Sequence, residues 1–261
     1  MIICLAAALL AAEPAVGLGD AVQALQAGRL EQARLVLDTA VNAGASGEEV
    51  DRLRAELAFR SGHWAAARQG YERLAAQHPG ESLTLERAGI AAFQLGEYSR
   101  SAAALKAATA LPGATWRAWN ARGAVADKRR DWDDADQAYA KALELGPERA
   151  ETLNNYGWSL LLRGRWVEAL EQLERAGRID PKSKRIANNL ELARAALAND
   201  LPKRASGETE AEWAARLNDA GVLAAASGDR RRAIAAFAQA IEASSKWFAR
   251  AANNMALVEG E

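Results

Sequence analysis

Small and bulky residues recur along the chain with a fixed spacing. Gly28, Gly62, Gly96, Arg130 and Gly164 follow one another at intervals of 34 residues with no insertion. Five residues after each anchor stand Ala33, Ala67, Ser101, Ala135 and Ala169. Nine after stand Leu37, Tyr71, Leu105, Tyr139 and Leu173, and twelve after stand Ala40, Leu74, Ala108, Ala142 and Ala176. Two after come Leu30, Trp64, Tyr98, Trp132 and Trp166, and seven before come Ala21, Ala55, Gly89, Gly123 and Gly157. Pro79, Pro147 and Pro181 lie seventeen after, with Gly113 at the equivalent place. Small residues in facing columns predict two antiparallel helices that approach closely. The bulky residue then fills the gap between units, and proline stops the second helix. One such unit buries too little alone, so stability comes from stacking on its neighbours.

This period and its columns resemble the tetratricopeptide repeat, most clearly over Trp119 to Pro147 and Leu153 to Pro181. The resemblance runs from about residue 18 onward. It implies an all-α fold, a right-handed α-solenoid of stacked helix–turn–helix repeats. Gly17 and Asp20 replace bulk in the first copy, which predicts a short first helix.

The register breaks after Pro181. Residues 184–198 continue as one helix in phase, and 199–210 form a polar loop with Pro202 and Gly207. Gly221, Gly228, Ala233, Phe237 and Ala240 then restore the offsets. The expected organisation is a block over 18–198, a linker at 199–210 and a C-terminal repeat with a capping helix over 211–261. The linker reads either as a hinge or interaction loop, or as a degenerate sixth repeat. Trp247 to Val258 is expected as the final helix.

Ile2 to Ala12 is uncharged and apolar, ending at Glu13-Pro14. Eleven helical residues rise roughly 16 Å, too little to cross a hydrocarbon core of about 30 Å. The run suits a secretory signal over 1–17, with Ala11, Ala12, Ala15 and Gly17 available near a cut. No Lys or Arg precedes it. Two readings stay open: an exported protein of the periplasm or cell envelope, or a cytoplasmic protein with a buried first helix. Membrane association is then indirect or through an uncleaved N-terminus. Cys4 lies too early for a lipoprotein cleavage box.

Composition narrows the chemistry. Alanine supplies 64 of 261 residues, there are six prolines, and net charge is -1. Alanine is the best helix former and proline the worst, which supports the all-helical reading. A balanced charge argues against a nucleic-acid binder, which would normally carry a basic excess. Two histidines and one cysteine leave little for a metal or a Cys/His nucleophile. His63 and His78 fall in separate turns, and Asp131, Asp133 and Asp134 lack the glycine and terminal glutamate of a calcium loop. At a helix start such acids suit the dipole instead. No cofactor, small-molecule substrate or catalytic residue is expected, and the chain reads as a non-enzyme.

One constellation stands out. Asn120, Asn154 and Asn188 share a column, Asn155 and Asn189 form a second, and Asn218 follows in the C-terminal repeat. A carboxamide offers two donors and an acceptor, which match the backbone of an extended peptide. Similar asparagine ladders serve peptide-binding tetratricopeptide proteins. Trp158 adds an apolar anchor one turn on, and Arg117 and Arg185 are placed to hold carboxylates. The other reading has these asparagines bonding to adjacent helices and tying repeat to repeat. Alanine at Asn154, Asn155, Asn188 and Asn189 is expected to abolish binding and leave unfolding nearly unchanged. Trp64, Trp132 and Trp166 are expected as core packers, and Trp116, Trp158, Trp213 and Trp247 as contact surfaces.

The order of segments, with Asn154-Asn155-Tyr156-Gly157 and Asn188-Asn189-Leu190, is similar to the TadD-like repeat proteins of tight-adherence (Flp) pilus assembly. That resemblance implies an adaptor holding a protein or peptide partner in a concave groove. Members of that group are usually lipoproteins, a feature Cys4 does not match. The alternative is a general periplasmic chaperone or peptidoglycan-linked scaffold.

Overall fold

The computed structural model describes residues 17–198, 200–244 and 248–260; residues 1–16 of the signal-like segment, with Cys4, and Trp247 lie outside them. Among the described residues there are fourteen helices and no strand. The chain divides after Ala114 into two compact units.

The first unit stacks three antiparallel hairpins: α1 (Leu18–Gln26) with α2 (Leu30–Asn42), α3 (Glu48–Arg60) with α4 (Trp64–Gln77), and α5 (Ser82–Gln94) with α6 (Tyr98–Ala110). The columns read from the sequence are its core. Ala33, Leu37, Ala40, Ala67, Tyr71, Leu74, Leu105 and Ala108 are all buried. Ser101 takes its place among the alanines because its hydroxyl donates to the Gly89 carbonyl at 2.7 Å. A buried hydroxyl needs such a partner. The first helix has nine residues against thirteen in α2, the short start that Gly17 and Asp20 predict.

The second unit holds α7 (Trp116–Arg129) with α8 (Trp132–Leu145), and α9 (Ala150–Leu162) with α10 (Trp166–Ile179). A single helix, α11 (Lys184–Leu197), follows; then α12 (Glu210–Ala226) pairs with α13 (Arg230–Glu242), and α14 (Ala249–Gly260) comes last. Two glycine rules shape both units. The repeat anchors Gly28, Gly62, Gly96, Gly164 and Gly228 have φ between 71° and 82°, the left-handed turn that ends each first helix. Arg130 adopts the same conformation at φ 56°. The glycines seven before the anchor admit the bulky residue of the second helix. A Cβ on Gly123 would lie 2.7 Å from the Tyr139 ring, and one on Gly157 would lie 2.6 Å from Leu173 Cγ.

Glu191 occupies that column in α11, where no second helix follows directly. The segment at 200–209 lies alongside instead. Leu201 packs on the cluster of Leu160, Leu173 and Leu192, and the Lys203 amide donates to Glu191 Oε1 at 3.4 Å. The segment is tied at both ends. Arg232 donates to the carbonyls of Ala195 and Asp200. Buried Arg216 donates to Glu208 and to the Lys203 carbonyl. Thr209 caps α12 through a reciprocal capping box with Glu212.

Candidate functional site

Asparagine is a poor residue inside a helix, so repeated asparagines on first helices call for partners. Asn120 on α7, Asn154 on α9 and Asn218 on α12 are buried, as is Asn189 on α11. Asn155 and Asn188 are half-buried.

The carboxamides pair diagonally between neighbouring first helices. Asn189 Nδ2 donates to Asn154 Oδ1 at 2.9 Å, and Asn155 Nδ2 donates to Asn120 Oδ1 at 3.2 Å. Asn154 Nδ2 approaches Asn155 Oδ1 at 3.5 Å, and Asn120 Nδ2 approaches Glu151 Oε1 at 3.4 Å. One polar chain thus runs across α11, α9 and α7 and ends on a carboxylate. A second pair repeats the motif: Asn254 Nδ2 on α14 donates to Asn218 Oδ1 at 2.9 Å. The bonding of repeat to repeat is therefore present in the structure.

Asn188 stands apart from this chain and has no side-chain hydrogen bond among the described residues. Arg185 is exposed beside it. Arg117 is exposed at the start of α7, its guanidinium carbon 4.5 Å from the Trp116 ring centroid. Trp158 is half-buried against the cluster that joins α9 to α13. The structure thus joins Asn120, Asn154, Asn155 and Asn189. It sets Asn218 in a separate pair and leaves Arg117, Arg185 and Asn188 on the surface. Glu151 and Asn254 escaped the sequence reading. The signal for Asn254 was present in the doublet Asn253-Asn254, which repeats Asn154-Asn155.

The tryptophans expected as core packers, Trp64, Trp132 and Trp166, are half-buried, and Trp166 packs against the cluster of Leu160, Leu173 and Leu192. Each opens a second helix at the rim of a hairpin. There Trp64 meets Phe59 edge-on at 5.5 Å, and Arg163 lies over Trp132 at 5.4 Å.

Beneath the face lies a polar cluster. Asp127 on α7 accepts from the Tyr139 hydroxyl at 2.8 Å and from Ser159 Oγ. Burial pushes its carboxyl up to about 6, against the lowering effect of those bonds and of Arg163. Burial also raises Asp136, but the Arg163 hydrogen bonds prevail and hold its carboxyl below the usual range. Burial raises Asp219, next to Asn218. Asp131 caps α8 by accepting from the Asp134 amide, and Asp134 pairs with Arg122. Among the described residues no group of three His, Cys, Asp or Glu is placed to hold a metal ion.

Comparison with known proteins agrees with this architecture. The family model for the tetratricopeptide repeat matches residues 86–135 and 120–184. These residues are tetratricopeptide repeats, and the fold is the all-α solenoid class. No curated protein matches the sequence. Among solved structures, a tetratricopeptide repeat protein from Parabacteroides merdae is similar at 16% identity and TM-score 0.59, covering 93% of this chain and 97% of that one. PilW, a widely conserved type IV pilus biogenesis factor, is similar at 14% identity and TM-score 0.58, with 94% and 98% covered. A chain of the APC/C hetero-tetramer Cut9-Hcn1 is similar at 15% identity and TM-score 0.55. That match covers 94% of this chain but spans only 42% of the other. At these identities the likeness is one of fold. No described helix is long and apolar enough to cross a membrane. A tetratricopeptide fold is a protein-interaction scaffold in general terms.

Proposed function

We propose that this chain is a non-enzymatic adaptor whose second unit binds an extended partner segment along the face of its first helices. Its setting is the assembly of a cell-envelope machine of the pilus or secretion kind. The observation that carries this is the run of carboxamides across α7, α9 and α11. A carboxamide has two N–H groups and two lone pairs. Asn155 spends one of each on its neighbours, and Asn188 spends none within the described residues. Both keep capacity for the C=O and N–H groups of an extended backbone. Arg117, Arg185 and Trp158 border the same face. The envelope setting is supported by the TadD-like resemblance and by the fold shared with PilW.

The test separates binding residues from structural ones. Asn188→Ala with Arg185→Ala is expected to abolish capture of one stoichiometric envelope partner and to leave thermal unfolding unchanged. Asn154→Ala is expected to lower stability by about 1–3 kcal/mol, because it strands the buried amide of Asn189. Burial of Asn154 and Asn189 thus revises the expectation of nearly unchanged unfolding for the fourfold alanine variant. Retention of the partner by the Asn188/Arg185 variant refutes the groove. Capture of many clients at low stoichiometry favours the chaperone alternative.

A further inference from the structure

We propose that Asp219 on α12 is an anchor for a cationic side chain, lysine or arginine, of the partner segment. This rests on the scaffold reading above and names one side chain of that segment. The chain of asparagines reaches α11 and stops. In its second column Asn155, Asn189 and Asn254 each donate to an asparagine on the preceding first helix, Asn120, Asn154 and Asn218. On α12, which packs on α11, that column holds Asp219, following Asn218 as Asn155 follows Asn154. A carboxylate has no N–H to donate. The acceptor that the offset supplies is Asn188, 31 residues before Asp219, the usual 35 less the four residues missing from the repeat here. One aspartate in an asparagine column thus explains why Asn188 stands apart.

Asp219 is itself left over. It is half-buried, and among the described residues its side chain accepts only from Asn218 Nδ2, at a long 3.5 Å. Burial raises its carboxyl, and Asn218 and Arg250 offset this only in part. Neither Arg250, exposed at the start of α14, nor Arg185 on α11 forms an ion pair with it among the described residues. The other desolvated acids are satisfied within the fold: Glu56 by Tyr71 and Arg60, Asp127 by two hydroxyls, Asp136 by Arg163 and Glu208 by Arg216. A carboxylate withdrawn from water with lone pairs unused costs free energy that the fold does not return. On a binding face such a group is a contact awaiting its partner.

The surroundings suit a long side chain with a charged end. One turn to either side of Asp219 on α12 stand Ala215 and Val222, both half-buried and uncharged. They offer an apolar seat for the methylenes of a lysine or arginine, whose head then meets the carboxylate. Asn188 on the neighbouring helix has its oxygen unused, and an ammonium carries three N–H donors. An acidic side chain would be repelled at this place. A neutral one would leave the carboxylate uncompensated.

The full chain, labelled with ¹⁵N, is titrated with a blocked peptide of alternating threonine and alanine bearing one central lysine. A second titration uses the same peptide acetylated on that lysine, which removes the charge. The lysine peptide is expected to bind about tenfold tighter and to shift the Asn218 side-chain amide resonance. Asp219→Asn is expected to abolish that preference. It is also expected to keep or raise the melting temperature, because the new carboxamide can donate to Asn188 and carry the chain of asparagines on to α12. Equal binding of the two peptides overturns the anchor, and so does failure of the lysine peptide to bind. Both leave the groove reading standing, since that reading is tested by capture of the envelope partner. A melting temperature lowered equally by Asp219→Asn and by Arg250→Gln would show that Asp219 serves Arg250 within the fold, and overturns the anchor too.

Discussion

Asp127 is a carboxylate held by two neutral hydroxyls, from Tyr139 on α8 and Ser159 on α9, with no direct ion pair among the described residues. Its folded value of about 6 lies above the ordinary carboxylate range. The fold therefore favours its protonated form. Its contribution to stability is full below about pH 4 and is lost as pH rises through about 6. The loss is on the order of 2–3 kcal/mol. The melting temperature is expected to fall over that window, and Asp127→Asn to flatten the slope. An unchanged slope in the variant would mean that other carboxyls govern the window. The spacing of Asn120, Asn154 and Asn188 was legible in the sequence. Their pairing was not, because neighbouring helices are offset so that each carbonyl meets an amide 35 or 36 residues on. Periodicity reports which residues share a column. The helix offset decides which columns touch.

At the scale of one element, the sequence columns carried nearly all of the packing. Every residue five, nine and twelve after an anchor is buried from Ala33 to Ala176. The glycine seven before the anchor is a close-contact site. Gly157→Ala is expected to cost about 1–3 kcal/mol, because a methyl there must displace Leu173 Cγ from 2.6 Å. Gly177, where a Cβ would meet only Ile186 at 3.8 Å, is the control that is expected to tolerate alanine. Arg130 is the converse case, a side chain forced into a left-handed turn at φ 56°. Arg130→Gly is expected to raise stability by about 0.5–1 kcal/mol, the relieved strain being offset in part by greater freedom of the unfolded chain. Denaturant unfolding of the three variants checks both signs. Glu191 fits the same rule from the other side: α11 has no following second helix, so its glycine column is free to carry a charge that takes the Lys203 amide.

At the scale of the whole molecule, the departure from the repeat lies at 200–209, and it was visible in the sequence as a four-residue deficit: Gly228 follows Gly164 by 64 residues where two repeats of 34 would span 68. What the deficit could not convey is how the segment is held. Its composition reads as a solvated loop, whereas the ties that fix it come from Arg216 and Arg232, both outside the segment and unremarkable by type. Arg216 and Glu208 are 3% and 6% exposed in their side chains, and the arginine also takes the Lys203 carbonyl at 2.8 Å. Burial raises the Glu208 carboxyl, yet the Arg216 bonds outweigh it and hold the group ionised. A buried pair is costly to break from one side, since the remaining charge has neither water nor partner. Arg216→Met is therefore expected to destabilise the second unit by about 3–5 kcal/mol and to open 200–209 to limited proteolysis. Arg216→Met with Glu208→Leu removes both charges and is expected to recover much of the thermal stability. It does not restore the tie to the Lys203 carbonyl, so cleavage at 200–209 stays fast. Equal cleavage rates in the wild-type chain and Arg216→Met would show that the pair is not what fixes the segment.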